Sequence, residues 1–98
     1  MAKSLEFHPA AAIEAEQATA WYLERSPHAA QRFVEELAQA LDLITQAPDR
    51  WPRGPEDTRR ILLRRFPFAV VYREEQSVIQ VVAVAHGRRK PGYWRDRH

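Results

Sequence analysis

The sequence lacks several features that commonly indicate a function. It contains no cysteine, which excludes disulfides and thiolate metal sites and suits a reducing compartment such as the cytosol. Only three glycines are present, and no glycine-rich phosphate loop or dinucleotide motif occurs. The four histidines, His8, His28, His86 and His98, are scattered rather than spaced as metal ligands. We therefore expect neither a metal nor a cofactor.

Long apolar runs are also absent. No stretch approaches the ~20 apolar residues that span a membrane, and the N-terminus has no apolar signal core. The sequence thus predicts a cytoplasmic protein without membrane attachment. Its 98 residues are 45% hydrophobic, which is enough for one core, and we expect a single domain over residues 1–98.

Charge is distributed unevenly along the chain. The first 49 residues contain three Lys and Arg against eight Asp and Glu, whereas the last 49 contain twelve against five. The second half is therefore strongly basic, which favours a nucleic acid or an acidic protein as partner. The alternative is a solvated surface that is simply rich in arginine.

Two helices are predicted in the acidic half, after a short strand over Lys3–Phe7. Ala10–Arg25 is rich in helix-forming residues, and Pro27–Gln46 has the clearest 3.6-residue periodicity. Ser26 is suited to cap the second helix, with Pro27 at its first position. The periodic apolar positions of that helix are Ala30, Val34, Leu37, Leu41 and Ile44, with Phe33 beside them.

Three strands are predicted in the basic half. They cover Arg59–Arg65, Phe66–Arg73 and Val78–Ala85, and a Pro-rich loop over Ala47–Thr58 precedes them. The order β-α-α-β-β-β predicts an α+β domain, in which a mainly antiparallel sheet carries the N-terminal helical hairpin on one face. Simple alternation in the last strand assigns one face to the helices and leaves the other open. The predicted helix-facing residues are Ile79, Val81, Ala83 and Ala85, and the opposite face holds Val78, Gln80, Val82, Val84 and His86.

Chemistry-bearing residues are concentrated where the last strand ends. The candidate binding residues are Arg60, Arg64, Arg65, His86, Arg88, Arg89, Lys90, Tyr93 and Trp94. One interpretation is a metal-independent ribonuclease, in which His86 moves a proton and arginines hold the phosphate. Its catalytic set would be His86, Arg60, Arg89 and Tyr93. The other interpretation is that the cations bind an acidic protein surface without catalysis.

The same stretch resembles the RelE/ParE superfamily of toxins from bacterial type II toxin–antitoxin systems. The most specific parts are Phe66-Pro67-Phe68, then Val70-Val71-Tyr72, and the segment from His86 to Trp94, which reads HGRRKPGYW. This closing pattern is most similar to the ParE-type "plasmid stabilisation" proteins. The resemblance implies the α+β fold predicted above and a growth-inhibiting activity.

The resemblance implies two possible mechanisms. RelE-like members cut mRNA on the ribosome, whereas ParE-like members poison DNA gyrase by protein binding. The RNA-cutting branch commonly has an arginine where this chain has Ala69, and a second basic residue where it has Leu62, although Arg60 is retained. Losing one such phosphate contact typically costs ~2.7–4 kcal/mol of transition-state stabilisation. The ParE-like, non-enzymatic mechanism is therefore favoured, and His86 keeps the ribonuclease as the alternative.

The resemblance also implies a protein partner. Such toxins are neutralised by a cognate acidic antitoxin in a hetero-oligomeric complex. An exposed strand edge on a basic sheet suits β-augmentation by a disordered acidic segment. The segment after Lys90 is short and charged and could fray, so the sequence leaves open whether this tail is ordered.

Overall fold

The structure is a computed structural model that describes residues 3–98. It contains two helices and four strands. In chain order these are β1 (Ser4–Phe7), α1 (Pro9–Arg25), α2 (Pro27–Gln46), β2 (Thr58–Leu62), β3 (Phe68–Glu74) and β4 (Val78–His86). The predicted element order and α+β class are confirmed, and the bounds of α2 agree with the prediction.

The strands form one sheet in the order β1-β4-β3-β2. The β2–β3 and β3–β4 pairs are antiparallel, as predicted, but β1 lies parallel to β4. β1 pairs only with Val78–Val81, so the second half of β4 has no neighbouring strand on that side.

The junction of the two helices is fixed by local chemistry. The Ser26 hydroxyl accepts a hydrogen bond from the Ala29 amide at 3.2 Å, and Pro27 occupies the first turn of α2. The Ser26 amide donates to the Tyr22 carbonyl at 2.7 Å and completes the end of α1. Both helices therefore lie on one face of the sheet, as the sequence predicted.

The main core lies between the helices and the sheet. Phe33 is fully buried, and its ring lies 5.2–5.3 Å from the rings of Tyr22, Phe66 and Phe68. Val34, which the periodicity placed with the core, is 48% exposed instead. No helix within residues 3–98 combines the length and apolar character required to cross a bilayer.

The turn between β2 and β3 is longer than predicted. Leu63 to Pro67 form this turn, although the sequence assigned them to strands. The Glu36 carboxylate accepts hydrogen bonds from the amides of Arg64 and Arg65, and Pro67 has no amide proton to donate. These residues therefore cannot continue the ladder, and the turn is held against α2.

A β-bulge in β4 overturns the predicted division of its faces. Val71 pairs with Ala83, but the next residue, Tyr72, pairs with Val81, so Val82 is an extra residue. Beyond the bulge the alternation is reversed. Val84 packs in the core under the helices, whereas Ala83 and Ala85 lie in a second cluster on the opposite face with Val71, Val82 and Trp94. His86 consequently lies on the helical side, contrary to the prediction.

Candidate functional site

Five exposed cations gather at one end of the sheet, which we call the cationic end. They are Arg64, Arg65, Arg88, Arg89 and Lys90. The two segments that carry them meet where the Gly87 amide donates to the Pro67 carbonyl at 2.8 Å. Within residues 3–98, Arg89 is the one member whose charged side chain lies within 4.0 Å of a carboxylate, that of Glu14, while Arg64 and Arg65 meet the Glu36 carboxylate through their backbone amides. The cationic end therefore presents largely uncompensated positive charge.

An open groove of about 630 Å³ lies beside the cationic end. Helix α1 forms one wall, and the ends of β3 and β4 form the other. Its aromatic lining consists of Trp21, Tyr22, Phe68, His86 and Tyr93, and Arg88 and Arg89 contribute the cationic part. Trp21 is 52% exposed. We call this the aromatic groove; it combines apolar surface with adjacent positive charge, which suits an amphipathic acidic partner.

His86 is held at the wall of the aromatic groove. Its ring packs edge-on against Phe68, with 5.0 Å between the centroids. Its Nδ1 atom accepts a hydrogen bond from the Arg88 amide at 3.0 Å. Nδ1 therefore already accepts a hydrogen bond, and this bond helps to fix the turn that carries Arg88.

Glu14 of α1 is the most highly bonded side chain of the site. Its Oε1 accepts from the Val84 amide at 3.0 Å and from Arg97 Nη1 at 2.8 Å. Its Oε2 accepts from the Tyr93 hydroxyl at 2.6 Å and from Arg97 Nη2 at 3.0 Å. We call these four residues the Glu14 network. It joins α1, β4 and the C-terminal segment through one carboxylate whose side chain is only 12% exposed.

The network shifts the pKa values of its members. Burial would raise the pKa of Glu14, but hydrogen bonds from Arg97, Tyr93 and the Val84 amide outweigh it and lower the pKa. The stability that this carboxylate contributes is therefore present above its unfolded pKa and is lost as the pH falls through its folded pKa. Burial and the hydrogen bond to Glu14 raise the pKa of Tyr93, so the Tyr93 hydroxyl is a donor rather than a base.

The C-terminal segment, residues 87–98, folds back over the sheet. Gly92 adopts a φ of +75°, a left-handed conformation that strains other residues, so this turn favours glycine. Trp94 is 7% exposed and packs against Val71, Val82 and Ala83. The sequence left open whether the tail after Lys90 is ordered, and in the structure this tail forms turns that pack on the sheet. Trp94 is unavailable for contact with a partner in this conformation.

The structure brings together some of the proposed ribonuclease residues and separates another. His86, Arg89 and Tyr93 all line the aromatic groove. Arg60 pairs with Val71, whose side chain belongs to the cluster on the opposite face. Since paired residues point to the same face of a sheet, Arg60 and His86 lie on opposite sides of it. The face around Arg60 continues with Leu62, Ala69 and Ala85, which offer no phosphate donors from their side chains.

The strand edges available for β-augmentation are short. On the outer side of β2, backbone groups of the strand are already bonded to the segment that precedes it. Arg60 N donates to Pro52 O at 3.2 Å, and Gly54 N donates to Thr58 O at 2.8 Å. On the β4 side, beyond β1, Arg97 donates to Val82 O at 3.1 Å and Glu14 accepts from Val84 N. Among the described strands, β1 retains an outer edge, and it is four residues long.

Sequence reasoning missed Glu14 and Arg97. A signal for Glu14 was present, because it lies at helical spacing from Ala11 and Ala18, which are both buried. A carboxylate on a buried helical stripe requires a charged or hydrogen-bonding partner. Nothing in the sequence identified that partner as Arg97, which is 83 residues away along the chain.

Comparison with known proteins gives a consistent result. The model of the family described as "ParE toxin of type II toxin-antitoxin system, parDE" matches residues 5–91. Toxin ParE2 of Mycobacterium tuberculosis strain H37Rv is 28% identical over 92 residues, covering 93% of this chain and 88% of the relative. Toxin RelE1 of Caulobacter vibrioides is 35% identical over 69 residues, covering 68% and 74%.

A solved structure shares the fold. It is described as "Chromosomal ParDE TA system from P. aeruginosa" and matches with a TM-score of 0.74 at 20% sequence identity. The match covers 86% of this chain and 95% of that chain. The two helices packed on a four-stranded sheet are therefore an established arrangement.

Proposed function

The chain belongs to the ParE toxin family of type II toxin–antitoxin systems, and we propose that it inhibits growth by binding and poisoning DNA gyrase. The RelE/ParE resemblance of the sequence is thereby confirmed at the level of the family. The proposal concerns the target and the mode of action. A binding mechanism requires an exposed surface that is complementary to the target. It does not require a set of catalytic residues around one bond.

The observation that carries the proposal is the separation of Arg60 from His86 by the sheet. A ribonuclease needs its proton-transfer group and its phosphate-binding cations around one scissile bond. Arg60 lies on the face with Val71, while His86 packs against Phe68 on the helical side. In the groove itself, the Tyr93 hydroxyl donates to Glu14 and His86 Nδ1 accepts from Arg88, so two of the polar atoms that a ribonuclease would use have structural partners. This arrangement favours binding over catalysis.

The cationic end supplies a surface for binding. Its side chains are exposed, and four of the five have no carboxylate within 4.0 Å among residues 3–98. A cluster of one sign accelerates encounter with an oppositely charged surface and depends on ionic strength. We propose that this end contacts an acidic surface of gyrase.

The cognate antitoxin is proposed to neutralise the toxin at the same place. An acidic, amphipathic segment could insert apolar side chains into the aromatic groove and place carboxylates near Arg88 and Arg89. Occupancy of the groove would cover the cations proposed to meet the target. Binding of antitoxin and target would then be mutually exclusive within a hetero-oligomeric complex.

We predict that DNA synthesis fails before protein synthesis in cells that express this chain without antitoxin. Poisoned gyrase blocks replication directly, whereas translation stops only later. The measurement is a pulse label with thymidine and methionine, taken together at short intervals after induction. An earlier fall in methionine incorporation would contradict the proposal and support a ribosome-dependent mRNA endonuclease.

A matched variant separates the two mechanisms further. His86→Asn keeps an acceptor for the Arg88 amide but removes the imidazole that a ribonuclease would use. We expect this variant to retain growth inhibition within about threefold, since general acid–base catalysis typically contributes at least 100-fold. A loss of inhibition with unchanged folding would instead favour the catalytic alternative.

A further inference from the structure

Glu14 connects the C-terminal segment to the rest of the protein. Beyond the bond from Gly87 N to Pro67 O, the backbone hydrogen bonds within that segment are local turns, such as Arg89 N to His86 O and Tyr93 N to Lys90 O. Both Tyr93 and Arg97 reach across the open part of β4 to the same carboxylate on α1. Glu14 therefore supplies the long-range side-chain partner of both Tyr93 and Arg97, in addition to the contacts of Arg97 with Val82 O and Arg73.

Tyr93 links Glu14 to the cationic end. The Arg89 guanidinium lies over the Tyr93 ring, with 3.8 Å between Cζ and the centroid. The Tyr93 ring is fixed in turn by its hydroxyl, which donates to Glu14 at 2.6 Å. Arg89 thus depends on Tyr93 for its position, and Tyr93 depends on Glu14.

We infer that Glu14 is a positioning residue, whose carboxylate holds the C-terminal segment against β4 and keeps Arg89 beside the aromatic groove. Docking of the segment follows from the contacts alone. The claim that this docking is needed for growth inhibition rests on the proposed function. Glu14 also lines the aromatic groove, but Tyr93 and Arg97 occupy its oxygens, so its effect on the cationic end is transmitted through these two residues.

The charge of Glu14, and not only its shape, is required. A glutamine has the same size but replaces one oxygen with an NH₂ group. In one orientation this group faces the Val84 amide and Arg97, which are both donors. In the other it faces Arg97 and the Tyr93 hydroxyl. Either orientation removes acceptor sites that the carboxylate supplies, and it leaves the Arg97 guanidinium without its ionic partner.

The experiment is hydrogen–deuterium exchange of the purified full chain, comparing Glu14→Gln with the parent. We expect amides in residues 87–98 to exchange about 10- to 100-fold faster, which corresponds to losing one or two charge-assisted hydrogen bonds. Amides of α2 and β3 should be unchanged. Glu16→Gln is the matched control, because Glu16 is an exposed residue of the same helix and the charge change is identical.

Tyr93→Phe provides a second test if Glu14→Gln does not fold. It removes the hydroxyl that donates to Glu14 but leaves the ring under Arg89 and the ion pair with Arg97. We expect a smaller rise in exchange, about threefold to tenfold, confined to the same segment. Unchanged exchange in the foldable variants would overturn the inference.

Growth inhibition gives the functional readout. Glu14→Gln should inhibit growth less than the parent at equal protein level, while Glu16→Gln should match the parent. If the amides of the C-terminal segment exchanged faster in Glu14→Gln but growth inhibition stayed complete, the positioning role would be overturned. If gyrase proved not to be the target, the exchange results would be unaffected, so the two proposals can fail separately.

Discussion

Reversing the charges of Arg88 and Arg89 to glutamate should abolish growth inhibition while leaving the fold intact. Both side chains are exposed at the cationic end, and Arg88 has no carboxylate partner within residues 3–98. Electrostatic steering by such clusters changes association rates by about 10- to 1,000-fold. Reversal adds repulsion to the loss of attraction, so we expect gyrase binding to weaken by at least about 100-fold.

The matched control is the double substitution Arg50→Glu with Arg53→Glu. These residues carry the same charge but belong to the loop before β2, where Arg53 bridges to Arg59 near the start of that strand. The cationic end lies beyond the opposite end of β2. Binding is measured at two salt concentrations, and circular dichroism verifies the fold. Equal toxicity of the two double variants would contradict a role for the cationic end.

Replacing Phe33 with alanine should be the most destabilising single change in α2. Its side chain is fully buried among Tyr22, Phe66 and Phe68. Phe→Ala substitutions in such cores cost about 3–5 kcal/mol, which is a large part of the ~5–15 kcal/mol that stabilises a typical domain. For a chain of this size we expect the Tm to fall by about 15 °C or more.

Val34→Ala is the control for this prediction. Val34 is the next residue of the same helix, but it is 48% exposed. Its truncation should cost no more than about 1 kcal/mol. Thermal unfolding monitored by circular dichroism measures both variants. Similar Tm values for the two would show that the aromatic cluster around Phe33 does not stabilise the protein as the packing implies.

The helices could be predicted well because their determinants are local. The apolar period of α2, the Ser26 cap and the position of Pro27 are all properties of adjacent residues, and they gave the bounds of α2 correctly. The error at Val34 arose because it and Phe33 are adjacent at the edge of the apolar stripe. Periodicity alone does not decide which of two neighbours is buried.

The sheet was predicted less accurately because its details depend on distant residues. The extra residue Val82 reverses the alternation of β4, and only the pairing of Val71 with Ala83 reveals it. The turn after β2 is set by Glu36 on α2. Neither effect has a signature in a single strand's sequence, and the bulge changes which face carries His86.

The sequence identified the cations of the candidate site but not how they are arranged in space. The cations after β4 and the pair Arg64 and Arg65 were all candidates from the sequence, and the contact of Gly87 with Pro67 brings the two groups together. The aromatic groove was not foreseen, since Trp21 and Tyr22 come from α1. Glu14 was overlooked because its partners, Tyr93 and Arg97, lie in a tail whose order the sequence left open.

The measurement that tests the central claim most directly is a supercoiling assay with purified gyrase and the antitoxin-free chain. We predict that the parent inhibits supercoiling at molar excess, that added antitoxin restores it, and that Arg88→Glu with Arg89→Glu has no effect on the enzyme. The account would be contradicted if gyrase supercoiled DNA normally at the same molar excess of the parent chain, while expression of that chain still stopped growth in cells.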